Sequence, residues 1–118
     1  MTTLGKNMKL SVDRAQRAAT HEFFVSGLGA EAKSVLPELD VYVLDDGFNI
    51  GIYWVEAGEA LSAEQAMKAP WLELVVEDVA AALTRLTELG GREFEYVDRT
   101  HHYLQAPGGL VFRLAKAP

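Results

Sequence analysis

The strongest constraint on the fold is a pattern that this sequence contains twice. In each half, an alternating strand leads to an acidic residue, an apolar helix that ends in glycine, and three short strands. The halves align, because residues 28–30 correspond to 89–91 and residues 46–50 correspond to 108–112. A unit of about 50 residues is too small to bury its own sheet. The two halves must therefore pack together or pair with another chain.

The first half contains the elements in a clear order. Met8, Leu10 and Val12 alternate with polar residues, which predicts a half-buried strand. Asp13 follows at an N-cap position, and the stretch 14–26 ends at glycine, so we expect a helix there. Three more strands are predicted over residues 32–36, 41–44 and 48–55, with a hairpin turn at 45–47.

The pattern starts again after a linker that shows no alternation. Within the linker, the sequence from Ser62 to Gln65 fits a capping box and predicts a short helix. Leu72, Leu74 and Val76 then alternate, and a helix over 79–89 follows. Strands are predicted over 93–97, 102–105 and 110–115. We therefore expect one α+β domain over residues 1–118, in which two tandem βαβββ modules, at about 7–55 and 70–115, are joined by a linker at 56–69.

Composition narrows the classes of function. The chain has 118 residues and no cysteine, which excludes a disulfide scaffold, a zinc ribbon, an iron–sulfur site and a cysteine nucleophile. Its net charge is −6 with no basic stripe, so we expect no nucleic-acid partner. No apolar run approaches the roughly 18 residues of a membrane span, and no apolar leader is visible. We expect a cytoplasmic protein that does not bind membranes.

Three segments resemble the vicinal-oxygen-chelate superfamily, which includes glyoxalase I, extradiol dioxygenases, methylmalonyl-CoA epimerase, and fosfomycin and bleomycin resistance proteins. These segments are residues 23–30, 76–91 and the closing hairpin and strand at 103–114. The resemblance covers nearly the whole chain. It implies a curved mixed sheet around a cleft, with the helices on the convex side.

The resemblance also implies where the metal enzymes of this superfamily hold their ligands, on the first and last strands of each module. Those positions are similar to Asn7, Gly51, Trp71 and Arg113 here. Glycine has no side chain, tryptophan offers only an N–H donor, and arginine is a fixed cation. Metal ligands need oxygen, imidazole or thiolate groups. We therefore expect no metal and no other cofactor, which leaves the metal-free, bleomycin-resistance-like side of the superfamily.

Strand alternation predicts which side chains face the cleft. Trp71 and Glu73 on the fifth strand share this face with Tyr103 and Gln105 on the seventh strand and with Val111 and Arg113 on the last. Lys9, Ser11, Asn49, Gly51 and Tyr53 have the same parity in the first module. The candidate ligand-binding residues are Lys9, Tyr53, Trp71, Glu73, Tyr103 and Arg113.

Some of these residues also have an ordinary structural interpretation. Arg113 could pair with a ligand carboxylate or phosphate, or Glu73 and Arg113 could simply neutralise each other. Trp71 could stack on a ligand or fill a core or dimer interface. Trp54 is adjacent to Tyr53 on its strand and therefore faces away from the cleft, which predicts that it lies in the core.

The histidines can be considered as metal ligands and as catalytic residues. His101 and His102 are adjacent on a strand and point to opposite faces, so they cannot easily share one metal ion. Glu73 and His101 are candidate catalytic residues, with His101 as a general base beside Glu73. No glycine-rich phosphate loop and no Ser-His-Asp arrangement is present.

The sequence thus favours a metal-free protein that binds a small, partly aromatic or amphipathic molecule in the cleft and forms a homodimer. One alternative is an enzyme, lyase- or isomerase-like, that uses Glu73, His101 or Tyr103 as acid or base. Another alternative is a structural partner protein whose cleft is closed by packed side chains.

Overall fold

Two four-stranded mixed sheets repeat the same topology in a computed structural model that describes residues 1–118. The first sheet contains β1 (Asn7–Asp13), β2 (Glu31–Leu36), β3 (Leu39–Val43) and β4 (Asn49–Val55), in the order β1-β4-β3-β2. The second contains β5 (Leu72–Val76), β6 (Arg92–Phe94), β7 (His102–Gln105) and β8 (Val111–Lys116), in the order β5-β8-β7-β6. The pairs β1–β4 and β5–β8 are parallel, and all other strand pairs are antiparallel. The prediction of an α+β fold with two βαβββ modules is confirmed.

The helix of the first module is continuous but changes its winding twice. A 3₁₀ turn over Arg14–Gln16 leads into α1 (Arg17–Glu22), and a π-helical turn over Phe23–Gly27 completes it. The Asp13 carboxylate accepts a hydrogen bond from the Ala15 N–H at 2.9 Å, as expected for a residue at the start of a helix. The predicted span of 14–26 is therefore helical throughout, although only its middle is α-helix.

The other helices begin where their capping residues predict. Ser62 and Gln65 form the capping box of α2 (Ala63–Ala66), with the Ser62 hydroxyl accepting from the Gln65 N–H at 3.1 Å. A second 3₁₀ turn lies at Ala57–Glu59. Asp78 caps α3 (Val79–Glu88) by accepting from the Ala81 N–H at 3.0 Å. None of these helices is long and apolar enough to cross a membrane.

A single hydrophobic core contains residues of both modules. Phe23 and Phe24 of the first module both contact Phe112 of β8, each with its ring centroid 6.4 Å from that of Phe112. Trp54 is 2% exposed and belongs to this core, as its parity predicts. The shared core follows from the small size of each module, because neither sheet has enough apolar surface of its own.

The opposite faces of the two sheets are more exposed. In β4, Ile50, Ile52 and Trp54 are buried, whereas the residues between them are half-exposed. In β5, Leu72 and Leu74 pack against the core, while Glu73 and Val75 are exposed. Each sheet therefore has one face in the core and one face available for function.

Candidate functional site

The register of the second sheet brings four chemically distinct side chains into one row. Glu73 is paired with Arg113 across the parallel strands, and Arg113 is paired with Tyr103, which is paired with Phe94. Residues paired in this way share a face, because successive side chains of a strand alternate. All four lie on the face that points away from the core. The sequence-based assignment of Glu73, Tyr103 and Arg113 to one face is therefore correct.

An aromatic cluster lies beside this row and consists of Trp71, Phe94, Tyr96 and Tyr103. The Trp71 ring centroid is 4.7 Å from that of Tyr96 and 5.6 Å from those of Phe94 and Tyr103. The indole N–H of Trp71 donates to the Met67 carbonyl at 3.0 Å, which fixes the orientation of the ring. Trp71 is half-buried, so part of its ring remains open to a ligand.

Sequence reasoning missed Tyr96. The predicted strand 93–97 ends at Phe94, and Tyr96 leaves the sheet to pack on Trp71. The sequence could have indicated this residue, because Tyr96 is two positions after Phe94 and would share its face in a continuous strand. Three members of the cluster and the ion pair line a shallow depression of about 250 Å³, whose walls are Trp71, Leu72, Glu73, Tyr96, Tyr103 and Arg113.

Arg113 and Glu73 form an ion pair in which two guanidinium N–H groups bind one carboxylate oxygen. The Arg113 Nε–H donates to Glu73 Oε2 at 2.7 Å, and one terminal N–H of the guanidinium donates to the same oxygen. The bond from Glu73, followed by a smaller contribution from Tyr103, raises the pKa of Arg113. Both side chains are about two-fifths exposed, at 41% and 39%. The pair neutralises the two charges while leaving them within reach of a ligand.

Asp98 lies at the end of the same row and accepts three hydrogen bonds, from the Thr100 N–H at 2.8 Å, the Thr100 hydroxyl at 2.5 Å and the Tyr103 hydroxyl at 2.7 Å. The Nδ1 atom of His101 lies 2.8 Å from the same carboxylate. The Thr100 hydroxyl, then Tyr103, holds the pKa of Asp98 well below its usual range. Burial and the bond to Asp98 raise the pKa of Tyr103. Strand alternation gave no signal for Asp98, because it lies in the loop after β6.

The two adjacent histidines have different partners. His101 Nδ1 contacts Asp98, whereas His102 Nδ1 lies 2.7 Å from a carboxylate oxygen of Glu93. They point to opposite faces, as expected for neighbours on a strand. His101 has a carboxylate partner that the sequence did not indicate, Asp98, and its role as a general base stays a prediction.

Lys9 and Tyr53 form a separate group on the first sheet. The Lys9 ammonium lies 5.1 Å from the centroid of the Tyr53 ring and donates to the Ser11 hydroxyl at 3.1 Å. Neither Lys9 nor Tyr53 lines the depression on the second sheet. Within one chain, the six predicted ligand-binding residues are therefore divided between the exposed faces of two sheets.

The linker covers part of the predicted cleft face. The Gln105 amide donates to the carbonyls of Ala63 and Gly109, at 2.8 and 2.9 Å. Gln105 is 5% exposed and Val111 is 1% exposed, although strand parity places both on the cleft side. The Ala63 carbonyl, at the start of α2, therefore takes one of the two N–H groups of the Gln105 amide, and the Gly109 carbonyl takes the other.

The residues present do not fit the metal site that the resemblance implies. Asn7 accepts a hydrogen bond from the Asn49 amide at 3.0 Å, and the Trp71 N–H is bonded to Met67. Gly51 has no side chain to offer, and Arg113 is a cation. The chain contains no group of three or more His, Cys, Asp or Glu residues that could hold a metal ion.

No protein-family model matches the sequence, and no curated protein is similar to it in sequence. Solved structures are similar in fold. A glyoxalase-related enzyme from Fulvimarina pelagi is 20% identical, with a TM-score of 0.74 over 99% of this chain and 90% of that one. A possible glyoxalase from Bacillus cereus is also 20% identical, with a TM-score of 0.69 over 96% and 98% of the two chains.

The fosfomycin resistance protein FosX from Listeria monocytogenes is 15% identical to this chain. Its TM-score is 0.72, and the match covers 100% of this chain and 96% of that one. Likenesses at these identities establish a shared fold. This chain therefore shares its fold with all three proteins over nearly its whole length.

Proposed function

We propose that this chain, which has the fold of the vicinal-oxygen-chelate superfamily, binds a small, partly aromatic or amphipathic molecule on the exposed face of its second sheet. The observation that carries the proposal is that the positions expected to hold metal ligands contain residues that cannot bind a metal. Trp71 and Arg113 occupy two of them, within an aromatic cluster and an ion pair. Aromatic walls with a few convergent polar groups are typical of a small-molecule site.

The proposed binding is independent of metal. A divalent cation on this face would lie against the Arg113 guanidinium, which would repel it. Glu73 is the one carboxylate in the depression, and it is already bonded twice to Arg113. One carboxylate with no second ligand does not make a metal site.

The chemistry of the depression defines a ligand class. A planar ring can stack on the open part of Trp71, beside Tyr96 and Tyr103. A ligand carboxylate or phosphate would compete with Glu73 for Arg113, and a ligand donor would bond to Glu73. The proposed ligand therefore carries a planar apolar portion and at least one polar group.

The proposed functional unit is a homodimer. β1 and β5 are edge strands, each paired on one side only, and the two sheets are not hydrogen-bonded to each other. A second copy that placed Lys9 and Tyr53 against the Trp71 depression would bring the six predicted residues into one cleft. Sedimentation at micromolar concentration tests this step, and a monomer there would contradict it. A cytoplasmic location and the absence of a nucleic-acid partner stay predictions.

A structural partner protein with a closed cleft is the second candidate. The observation that favours it is the linker, which is hydrogen-bonded to the buried Gln105 on the predicted cleft face. Under this alternative no small molecule binds, because packed side chains and a partner surface fill the remaining depression.

A thermal-shift screen separates these candidates. The plate holds a panel of divalent metals and a library of aromatic antibiotics and carboxylates, tested on wild type, Trp71→Ala and Val97→Ala. Ligand at a hundred times its dissociation constant adds about 2.7 kcal/mol, which gives a rise of several degrees. We expect a rise with an organic ligand that is lost in Trp71→Ala and kept in Val97→Ala, whose side chain is 86% exposed. A rise with metals alone would contradict the proposal, and no rise with any compound would favour the closed-cleft partner.

A further inference from the structure

The hydrogen bonds around Asp98 fix the proton positions of its neighbours. An ionised carboxylate only accepts hydrogen bonds, so each group bonded to Asp98 must present a hydrogen atom. The low pKa of Asp98 keeps it ionised at neutral pH. The hydroxyls of Thr100 and Tyr103 are therefore donors to Asp98. Arg113 is the cross-strand neighbour of Tyr103, and because a guanidinium has no acceptor atom it does not compete for the hydrogen of the Tyr103 hydroxyl.

The same argument fixes the form of the His101 imidazole. Its Nδ1 lies 2.8 Å from Asp98 Oδ2 and 2.9 Å from the Thr100 hydroxyl, whose hydrogen is already directed at Asp98. Nδ1 must therefore carry a proton. In a neutral imidazole one nitrogen is protonated and the other is an acceptor, so Nε2 keeps a free lone pair. No protein group is hydrogen-bonded to Nε2, and the side chain is 31% exposed.

This imidazole lies close to the proposed binding surface. His101 Nδ1 and the Tyr103 hydroxyl bind the same oxygen of Asp98, and the Tyr103 ring forms a wall of the depression. A row of alternating partners thus runs from Glu73 through Arg113, Tyr103 and Asp98 to His101. A carboxylate that holds a histidine in one tautomer and stabilises its protonated form is a recurrent arrangement for proton transfer.

We infer that His101 is a general base that accepts a proton at Nε2 from a molecule bound on the aromatic cluster, and that Asp98 is its positioning residue. This inference rests on the proposed function, because the substrate must bind there. The class of substrate is a planar compound with an acidic C–H or O–H group. In the step, the proton moves to Nε2, its former bonding electron pair stays on the substrate, and the imidazolium keeps its Nδ1–H bond to Asp98.

The tautomer is tested in the protein without any ligand. Nitrogen chemical shifts distinguish a protonated ring nitrogen from a bare one, and we expect the neutral form of His101 to be protonated at Nδ1 and bare at Nε2. Tyr103→Phe should keep this tautomer, because it leaves the Asp98 contact in place, whereas Asp98→Ala should lose it. A neutral His101 with its proton on Nε2 in the wild type would overturn the inference and leave the proposed binding function intact.

The base is tested with 5-nitrobenzisoxazole, a planar aromatic probe with one acidic C–H. Removal of that proton turns its bonding pair into part of a nitrile, breaks the ring N–O bond and releases a coloured phenolate. We expect wild type to exceed His101→Gln by at least about a hundredfold, the lower end of what a positioned base contributes. His102→Gln is the matched control and should equal wild type. Equal rates in wild type and His101→Gln would overturn the inference, whereas the proposed function is judged separately by ligand-induced thermal shifts.

Discussion

Phe112 joins the two modules, so its truncation should destabilise the whole chain rather than one half. The ring is 0% exposed and stacks on Phe23 at an interplanar angle of 16°, with Phe24 against it edge to face. Replacing a buried phenylalanine with alanine removes its transfer free energy and leaves a cavity, which together cost about 3–5 kcal/mol. That is a large part of the roughly 5–15 kcal/mol that stabilises a typical domain.

The assay is urea unfolding in a Trp71→Phe background, where Trp54 is the only tryptophan. Trp54 belongs to the first module and Phe112 to the second. The fluorescence of Trp54 therefore reports whether the loss of stability in the second module also destabilises the first. With a slope of about 1–3 kcal/mol per molar urea, a loss of 3 kcal/mol lowers the midpoint by about 1–3 M. Phe112→Leu is the conservative control and should cost less.

Protein concentration must be equal in all samples, because a dimer is stabilised by association. If Phe112→Ala left the Trp54 transition in place while a second probe showed the other module unfolding, the shared core would not be a cooperative unit. That result would refute the reasoning.

Three further predictions concern named groups. Gly91→Ala should cost about 1–3 kcal/mol in urea unfolding, because its Cβ would lie 2.8 Å from Leu104 and from the Leu86 carbonyl. Gly58→Ala, with nothing within 4 Å, should be near neutral, and equal losses would contradict this. Burial, then the charge of Asp40, raises the pKa of Tyr42 to about 12. Stability should therefore fall as pH rises from the ordinary tyrosine value of 10.0 towards 12, and the decline should be smaller in Tyr42→Phe. The pKa of Asp98 is lowered, so its stabilisation is present above the ordinary carboxyl value of 3.8 and is lost as pH falls towards the folded value. The difference between wild type and Asp98→Asn in urea should be smaller at pH 3 than at pH 6, and an unchanged difference would refute the assignment.

The features that could be predicted from sequence are those controlled by local periodicity. Leu72 and Leu74 alternate with Glu73 and Val75, and one strand cannot put both sets into the core. Trp54 was assigned to the core by the same rule, and Ser62 begins its helix because its hydroxyl caps Gln65. Such signals depend on residues two to four positions apart, which a single sequence shows directly.

The features that escaped prediction depend on tertiary contacts. The linker has no period, so nothing in it indicated that Ala63 would lie against Gln105. The π turn at Phe23–Gly27 contains two consecutive buried phenylalanines, which both pack against Phe112 of β8. Asp98 becomes important only because the loop returns it to Tyr103, five residues later in the chain.

The candidate site was predicted in part for the same reason. Alternation placed Glu73, Tyr103 and Arg113 on one face, but it could not decide whether Arg113 would be free or paired. The cross-strand register settles that question, because Glu73 lies directly opposite Arg113. Alternation also could not show that Lys9 and Tyr53 lie outside the depression that Trp71 lines.

The most direct test of the central claim uses the two indole N–H signals in a nitrogen–proton correlation spectrum. Trp54 Nε1 donates to buried Asp40 at 2.8 Å, whereas Trp71 lies at the proposed site, so Trp54 is an internal control. Titration with the aromatic antibiotics and carboxylates of the screen should move the Trp71 signal saturably and leave that of Trp54 in place, while Mn²⁺ at one equivalent should broaden neither signal. Selective broadening of Trp71 by stoichiometric Mn²⁺, with no response to any organic compound, would contradict the account.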